Sequence, residues 1–115
     1  MRENEPLYVI SVAARLLELH PQTLRKYERE GFVSPSRTAG NLRLYSSEDL
    51  ERLRQVKYLV EEVGVNLAGV QLAMDLTARL KRLRQQTAQL SRRNDGRLDP
   101  LVDELEQVLH MLGAE

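Results

Sequence analysis

The chain has 115 residues, 42% hydrophobic and 30% charged, with a formal net charge of zero. That length holds one domain, or one domain with a helical extension, and leaves no comfortable room for a separate catalytic domain with a deep cleft. Cysteine is absent, which excludes disulfides, thiolate metal ligands and redox-sensing thiols, and no apolar run is long enough to span a membrane.

Four Tyr, one Phe and no Trp leave Leu, Val and Ala to build the core, which suits helices packed on helices. The polar start Met1-Arg2-Glu3-Asn4-Glu5 has no signal-peptide apolar stretch behind it, and with the missing cysteines it points to a reducing cytoplasm. The zero net charge averages unlike segments. Residues 1–45 hold seven Lys/Arg against five Asp/Glu, residues 76–94 six bases and no acid, and residues 96–115 one base and five acids. Such a distribution is compatible with a nucleic-acid partner despite the neutral sum.

In chain order, Tyr8-Val9-Ile10 predicts a short edge strand, and Ser11 is placed to cap a helix with Val12, Leu16 and Leu19 on its inner face. A second helix restarts at once, with His20 at the boundary, Pro21 at the first helical position, a run from Gln22 to Glu30, and Gly31 as the left-handed stop. Two short helices joined by a tight turn are a helix-turn-helix. The two extended stretches around Gly40-Asn41 then predict a β-hairpin ending at Leu42-Arg43-Leu44-Tyr45. Ser46 with Asp49 forms a capping-box pattern before a helix striped by Leu50, Leu53, Val56, Val60 and Val63. Gly64 ends that helix, and Asn66 caps the next, which carries Leu67, Val70, Leu72, Met74 and Leu76.

Leu76, Leu80, Leu83, Thr87 and Leu90 alternate spacings of four and three, a two-heptad seam with one polar interruption. Leu76, Leu80, Leu83 and Leu90 are the candidate dimerisation residues. Arg92 to Gly96 breaks the helix, and Asp99-Pro100 starts a last one as N-cap and first turn, striped by Leu101, Leu105, Val108 and Leu112 with Val102 and Leu109 alongside. The expected organisation is a DNA-binding domain over residues 1–75, a coiled-coil-like dimerisation helix over 76–95, and an acidic amphipathic helix over 96–115. Because a like-charged seam repels itself, the acidic helix is expected to fold back on the basic segment or cross to a partner chain.

The second helix carries the chemistry. Leu24, with Tyr27, anchors it inward, and Gln22, Arg25, Lys26 and Arg29 are spread over the outside. Arg reads guanine, Gln reads adenine and Thr23 suits a base or a phosphate, while Lys26 and Arg29 suit phosphates. Arg37 and Arg43 lie on the two arms of the hairpin, as a wing laid across a phosphate backbone requires. Taken singly, the helix is more often a solvated basic face, and the hairpin is equally a structural one; their succession favours DNA. The two histidines, His20 and His110, are too few and too distant for a metal site, so no metal and no cofactor is expected. No Ser/His/Asp set, glycine-rich phosphate loop or paired carboxylates points to an enzyme.

Tyr8 to Val65 resembles the DNA-binding domain of the mercury-resistance-regulator (MerR) family. The resemblance runs through Pro21-Gln22-Thr23-Leu24-Arg25, Tyr27-Glu28, Gly31-Phe32-Val33, Pro35, Arg37, Arg43 with Tyr45, and Ser47-Glu48-Asp49-Leu50. His20 to Tyr27, followed by Gly64-Val65-Asn66-Leu67-Ala68-Gly69-Val70, is most similar to the heat-shock repressor (HspR) subgroup. The resemblance implies a mainly α, winged helix-turn-helix dimer that binds an inverted repeat upstream of chaperone genes, with a DnaK-type chaperone as co-repressor. It places Gln22, Thr23, Arg25, Lys26 and Tyr27 on the recognition helix and Arg37 and Arg43 on the wing. Lys26 replaces an aromatic residue common in the wider family, and Asn41-Leu42 replaces a Gly-aromatic pair. The alternatives are an effector-responsive activator of the same family, a phage-type architectural or excision factor, and a helical interaction protein with an acidic partner.

Overall fold

The computed structural model describes residues 4–114, which fall into two compact units divided between Tyr58 and Leu59. The first unit opens with strand β1 (Pro6–Val9), which runs without a linker into helix α1 (Ile10–Leu17). Ile10 is therefore helical rather than extended. Val9, not Ser11, is the N-cap residue, and no side chain caps this end. The inner face of α1 is Ala13, Ala14 and Leu17, with Leu16 half exposed. The expected stripe of Val12, Leu16 and Leu19 is thus rotated, because small alanines let α1 approach its neighbours closely.

Glu18 ends α1 in the left-handed region (φ 55°), a conformation that costs a non-glycine residue about 1 kcal/mol. Lys57 steadies this turn. Its ammonium donates to the Leu17 carbonyl at 2.9 Å, satisfying an orphan group of the helix end. Helix α2 (Pro21–Arg29) begins two residues later, with Pro21 in its first turn. The His20 ring nitrogen Nδ1 accepts from the Gln22 N–H at 3.0 Å and so acts as N-cap. Gly31 (φ 83°) reverses the chain where a Cβ would be strained.

Strands β2 (Ser36–Arg37) and β3 (Arg43–Ser46) form the expected hairpin, and β1 adds to its other edge to give an antiparallel sheet of order β1-β3-β2. At its tip Asn41 takes the left-handed conformation (φ 64°), and the Thr38 hydroxyl accepts the Leu42 N–H at 3.1 Å. Ser46 and Asp49 make the reciprocal capping box at the start of helix α3 (Ser47–Lys57), at 3.0 and 2.9 Å. Leu24, Phe32, Tyr45, Leu53 and Val56 are essentially inaccessible and form the centre of this unit.

A π-helical turn, Tyr58–Val63, continues directly from α3 and ends at Gly64 (φ 86°). Leu59, three residues after Val56, is buried and Val60 is half-buried, while Val63, within the wider turn, is exposed. Helix α4 (Leu67–Arg93) follows, capped by the Asn66 side chain on the Gly69 N–H at 2.8 Å. It is one helix of 27 residues, so the domain boundary expected at residue 75 falls inside it. Val70, Ala73, Met74 and Thr77 are its buried residues in the first half, while Leu72 is exposed.

Asp95 and Gly96, both left-handed, turn the chain back into helix α5 (Asp99–Met111), which packs against α4. Leu98 rather than Asp99 is the N-cap residue. The Asp99 carboxylate is occupied instead by the fully buried Ser91 hydroxyl, which donates to it at 2.6 Å and accepts the Leu98 N–H at 3.1 Å. Leu109 is the innermost residue of α5, and Leu101 is turned outward. Among the described residues no helix is long and apolar enough to cross a membrane.

Ser91 holds the α4–α5 turn through both its donor and its acceptor. Ser91→Ala should lower the stability of this hairpin by about 1–2 kcal/mol, read as a lower urea midpoint by circular dichroism of the full chain.

Candidate nucleic-acid interface

Helix α2 has two sides set by a spacing of three. Leu24 and Tyr27 lie inward, and the Tyr27 ring, only 4% exposed, meets Phe32 at 5.9 Å between centroids. Tyr27, expected among the DNA-facing residues, is therefore part of the support beneath the helix. Gln22, Lys26 and Arg29 are exposed, and Thr23 and Arg25 are half-buried. These five present a polar face rich in donors.

The wing is tied to this helix by one carboxylate. In the β2–β3 pair, Arg37 and Arg43 are direct cross-strand partners, an arrangement that sets like charges against each other. Glu28 of α2 lies between them. Its Oε1 accepts from Arg43 Nε at 2.7 Å and its Oε2 from Arg37 Nη2 at 2.8 Å. The Glu28 side chain is 21% exposed, and Arg37 and Arg43 are 35% and 25% exposed, so the pairs are partly desolvated. Burial alone pushes the Glu28 carboxyl upward, but the hydrogen bonds and charges of Arg43 and Arg37 together outweigh it and hold it below its ordinary value. Two guanidinium groups share one carboxylate, and the trio keeps a net positive charge.

Beneath this trio, the Tyr45 hydroxyl is fully buried without a hydrogen-bond partner. Burial and then the Glu28 charge push its pKa upward, while Arg43, Arg37 and Arg25 pull in the other direction. Arg25, three residues before Glu28, is on the same flank of α2 as the carboxylate that binds both wing arginines. Glu28 had no place in the expected set of DNA-facing residues. Its one local signal is an acid on an otherwise basic helix, nine and fifteen residues before the arginines it binds.

The remaining predicted residues lie in the second unit. Leu76, Leu83 and Leu90 of α4 are each close to half exposed, and Leu80 is half-buried. His20 is a helix cap and His110 lies on α5; among the described residues no three His, Cys, Asp or Glu side chains are grouped to hold a metal.

Residues 8–77 match the family described as MerR HTH family regulatory protein. A Streptomyces coelicolor protein assigned the name heat shock protein HspR is 50% identical over 96 residues, which are 84% of this chain and 64% of that protein. The HTH-type transcriptional regulator GlnR of Bacillus cereus is 39% identical over 69 residues, 60% of this chain and 53% of its own length. The HTH-type transcriptional regulator MlrA of Escherichia coli is 35% identical over 69 residues, 59% of this chain and 28% of its own length. The chain thus spans from about a quarter to just under two thirds of the length of these relatives.

Because the Glu28 pKa is lowered on folding, the carboxylate stabilises the domain above its ordinary value of 4.5, and that contribution is lost as pH falls through the lowered value. Glu28→Gln should therefore cost about 1–2 kcal/mol at neutral pH, and thermal melts in acid should bring variant and parent together. It should also weaken DNA binding although it removes a negative charge, since the arginines are no longer aimed. Tighter binding by this variant would show that Glu28 merely repels phosphate.

Proposed function

The chain belongs to the MerR HTH family, and on that premise we propose that it is a dimeric, sequence-specific repressor of heat-shock or chaperone genes that binds an inverted-repeat operator. The observation that carries the DNA-binding part is the binding of both wing arginines by Glu28, one helical turn from Arg25 on α2. It makes the outer face of α2 continuous with the wing. In this reading α2 enters the major groove and the arginine-bearing hairpin lies over the neighbouring backbone. Arg25 and Gln22 read base edges, Lys26 and Arg29 meet phosphates, and Thr23 serves either. Tyr27 supports the helix from below.

The target genes rest on the Streptomyces relative assigned as a heat shock protein, whose similarity extends beyond the family's matched segment. Leu76, Leu80, Leu83 and Leu90 supply the dimer seam, and two-fold symmetry sets the two α2 helices in successive major grooves. A DnaK-type chaperone acts as co-repressor, so that its diversion to unfolded protein relieves repression. Binding needs no cofactor and involves no enzymatic step.

Selection of bound sequences from random DNA at physiological salt should return a palindromic consensus, and an absence of any preferred sequence would overturn the reading. On the selected site, Arg25→Ala should cost about 1–3 kcal/mol and relax the preference at one position of each half-site. Lys26→Ala should weaken selected and random DNA alike and reduce the slope of log K against log salt by about 0.9. Equal loss on both DNAs for Arg25→Ala would remove it from the base-reading residues.

A further inference from the structure

The two arginines of the wing use their donors differently. A guanidinium has two edges, one made by Nε with one Nη and one made by both Nη groups. The second edge is the fork that matches two oxygens of a phosphate. On Arg37 that fork is already filled. Its Nη2 donates to Glu28 Oε2 at 2.8 Å, and its Nη1 donates to the Asn41 carbonyl and to Asn41 Oδ1, both at 3.4 Å. On Arg43 only Nε is engaged, donating to Glu28 Oε1 at 2.7 Å. Among the described residues neither Nη of Arg43 has a partner, and neither is buried, since the Tyr45 hydroxyl is the one buried side-chain polar atom there that lacks a hydrogen bond. The fork of Arg43 is open to solvent.

Asn41 is the residue that closes Arg37. It is left-handed (φ 64°), its N–H donates to the Thr38 carbonyl at 2.8 Å, and the next N–H, of Leu42, donates to the Thr38 hydroxyl at 3.1 Å. These bonds hold the tip so that the carbonyl and the side chain of Asn41 meet the same guanidinium nitrogen. A glycine would take the left-handed conformation more easily but would bring no Oδ1. Each bond at 3.4 Å is weak alone. Two acceptors on Nη1 and the ion pair on Nη2 together leave Arg37 no fork for a phosphate. A line of contacts thus runs from α2 through Glu28 and Arg37 to the tip of the wing.

We propose that Arg37 and Asn41 are positioning residues that fix the tip of the wing to α2 without touching DNA, and that Arg43 alone of the two wing arginines presents a free fork to a phosphate. The inference rests on the DNA-binding reading above. It separates two arginines that residue type and place on the hairpin leave equivalent, and it makes Asn41 act on DNA binding only through Arg37.

Affinity of the full chain for its selected DNA site, measured from about 50 to about 200 mM salt, tests the division. Arg37→Gln and Arg43→Gln each remove one charge and one bond to Glu28, so they share the effect of a loosened clamp and differ in the open fork. Arg43→Gln should weaken binding about tenfold or more and lower the slope of log K against log salt by about 0.9, the value of one phosphate. Arg37→Gln should weaken binding less and keep the parent's slope. Asn41→Gly should weaken binding about threefold in the parent and not at all beside Arg37→Gln. Circular dichroism at the assay temperature checks that each variant is folded. Where a glutamine variant is not, Arg37→Lys and Arg43→Lys, which keep a cation for Glu28 but have no fork, should give the same order of affinities. Equal slopes for the two glutamine variants would overturn the division of roles. A loss from Asn41→Gly that persists beside Arg37→Gln would overturn the part given to Asn41. DNA binding itself stands in either case, whereas a chain with no preferred DNA sequence would overturn both readings.

Discussion

Two arginines stand opposite each other on the wing, and one carboxylate from the preceding helix makes that placement tolerable. Without Glu28, Arg37 and Arg43 would repel across the β2–β3 pair and rotate away from each other. With it, each guanidinium is held at 2.7–2.8 Å, and the hairpin is fastened to α2. A wing of two-residue and four-residue strands has little apolar area of its own to define an angle. The ion trio supplies that definition, and its strength comes from partial burial. The same pairs fully in water would contribute little.

The rest of the first unit supports this clamp from beneath. Tyr27 and Phe32 pack under α2, Tyr45 fills the space below the trio, and the Ser46–Asp49 box starts α3 immediately after the wing's last strand. Lys57 binds the end of α1, and Arg52 donates to the Phe32 carbonyl at 3.0 Å, so α3 secures both the helix-turn-helix turn and the loop after α2. Cations near helix ends and loop carbonyls hold the elements in place, while other cations are left facing outward. A chain with zero net charge can in this way present a positive face.

The second unit follows a different rule. Its long helix carries six bases and no acid over residues 76–93, and its short helix carries four acids and no Lys or Arg. Ser91 and Asp99 bring them together at the turn, and Leu109 anchors the packing. Apolar burial provides the energy, and the Ser91–Asp99 hydrogen bond fixes the turn between the two helices.

Local features of the chain were legible because their partners lie within a few residues. The Pro21 start, the Gly31 stop, the Ser46–Asp49 box, the Asn66 cap and the turn at Asp95-Gly96 are each complete within about one helical turn, so residue order alone determines them. The inner face of α1 was not, because Ala13, Ala14 and Leu17 are selected by neighbours distant in sequence over the larger Leu16. The exposure of Val63 goes with a π-helical turn that no spacing rule anticipates, and α4 runs through the boundary expected at residue 75 because nothing there interrupts a helix. Arg37 and Arg43 could be named from residue type, but their sharing of one carboxylate could not. It is decided by Glu28, whose approach to the wing arginines exists only once the hairpin has folded back onto α2, since electrostatic contacts depend on distance in space and leave no period in the sequence.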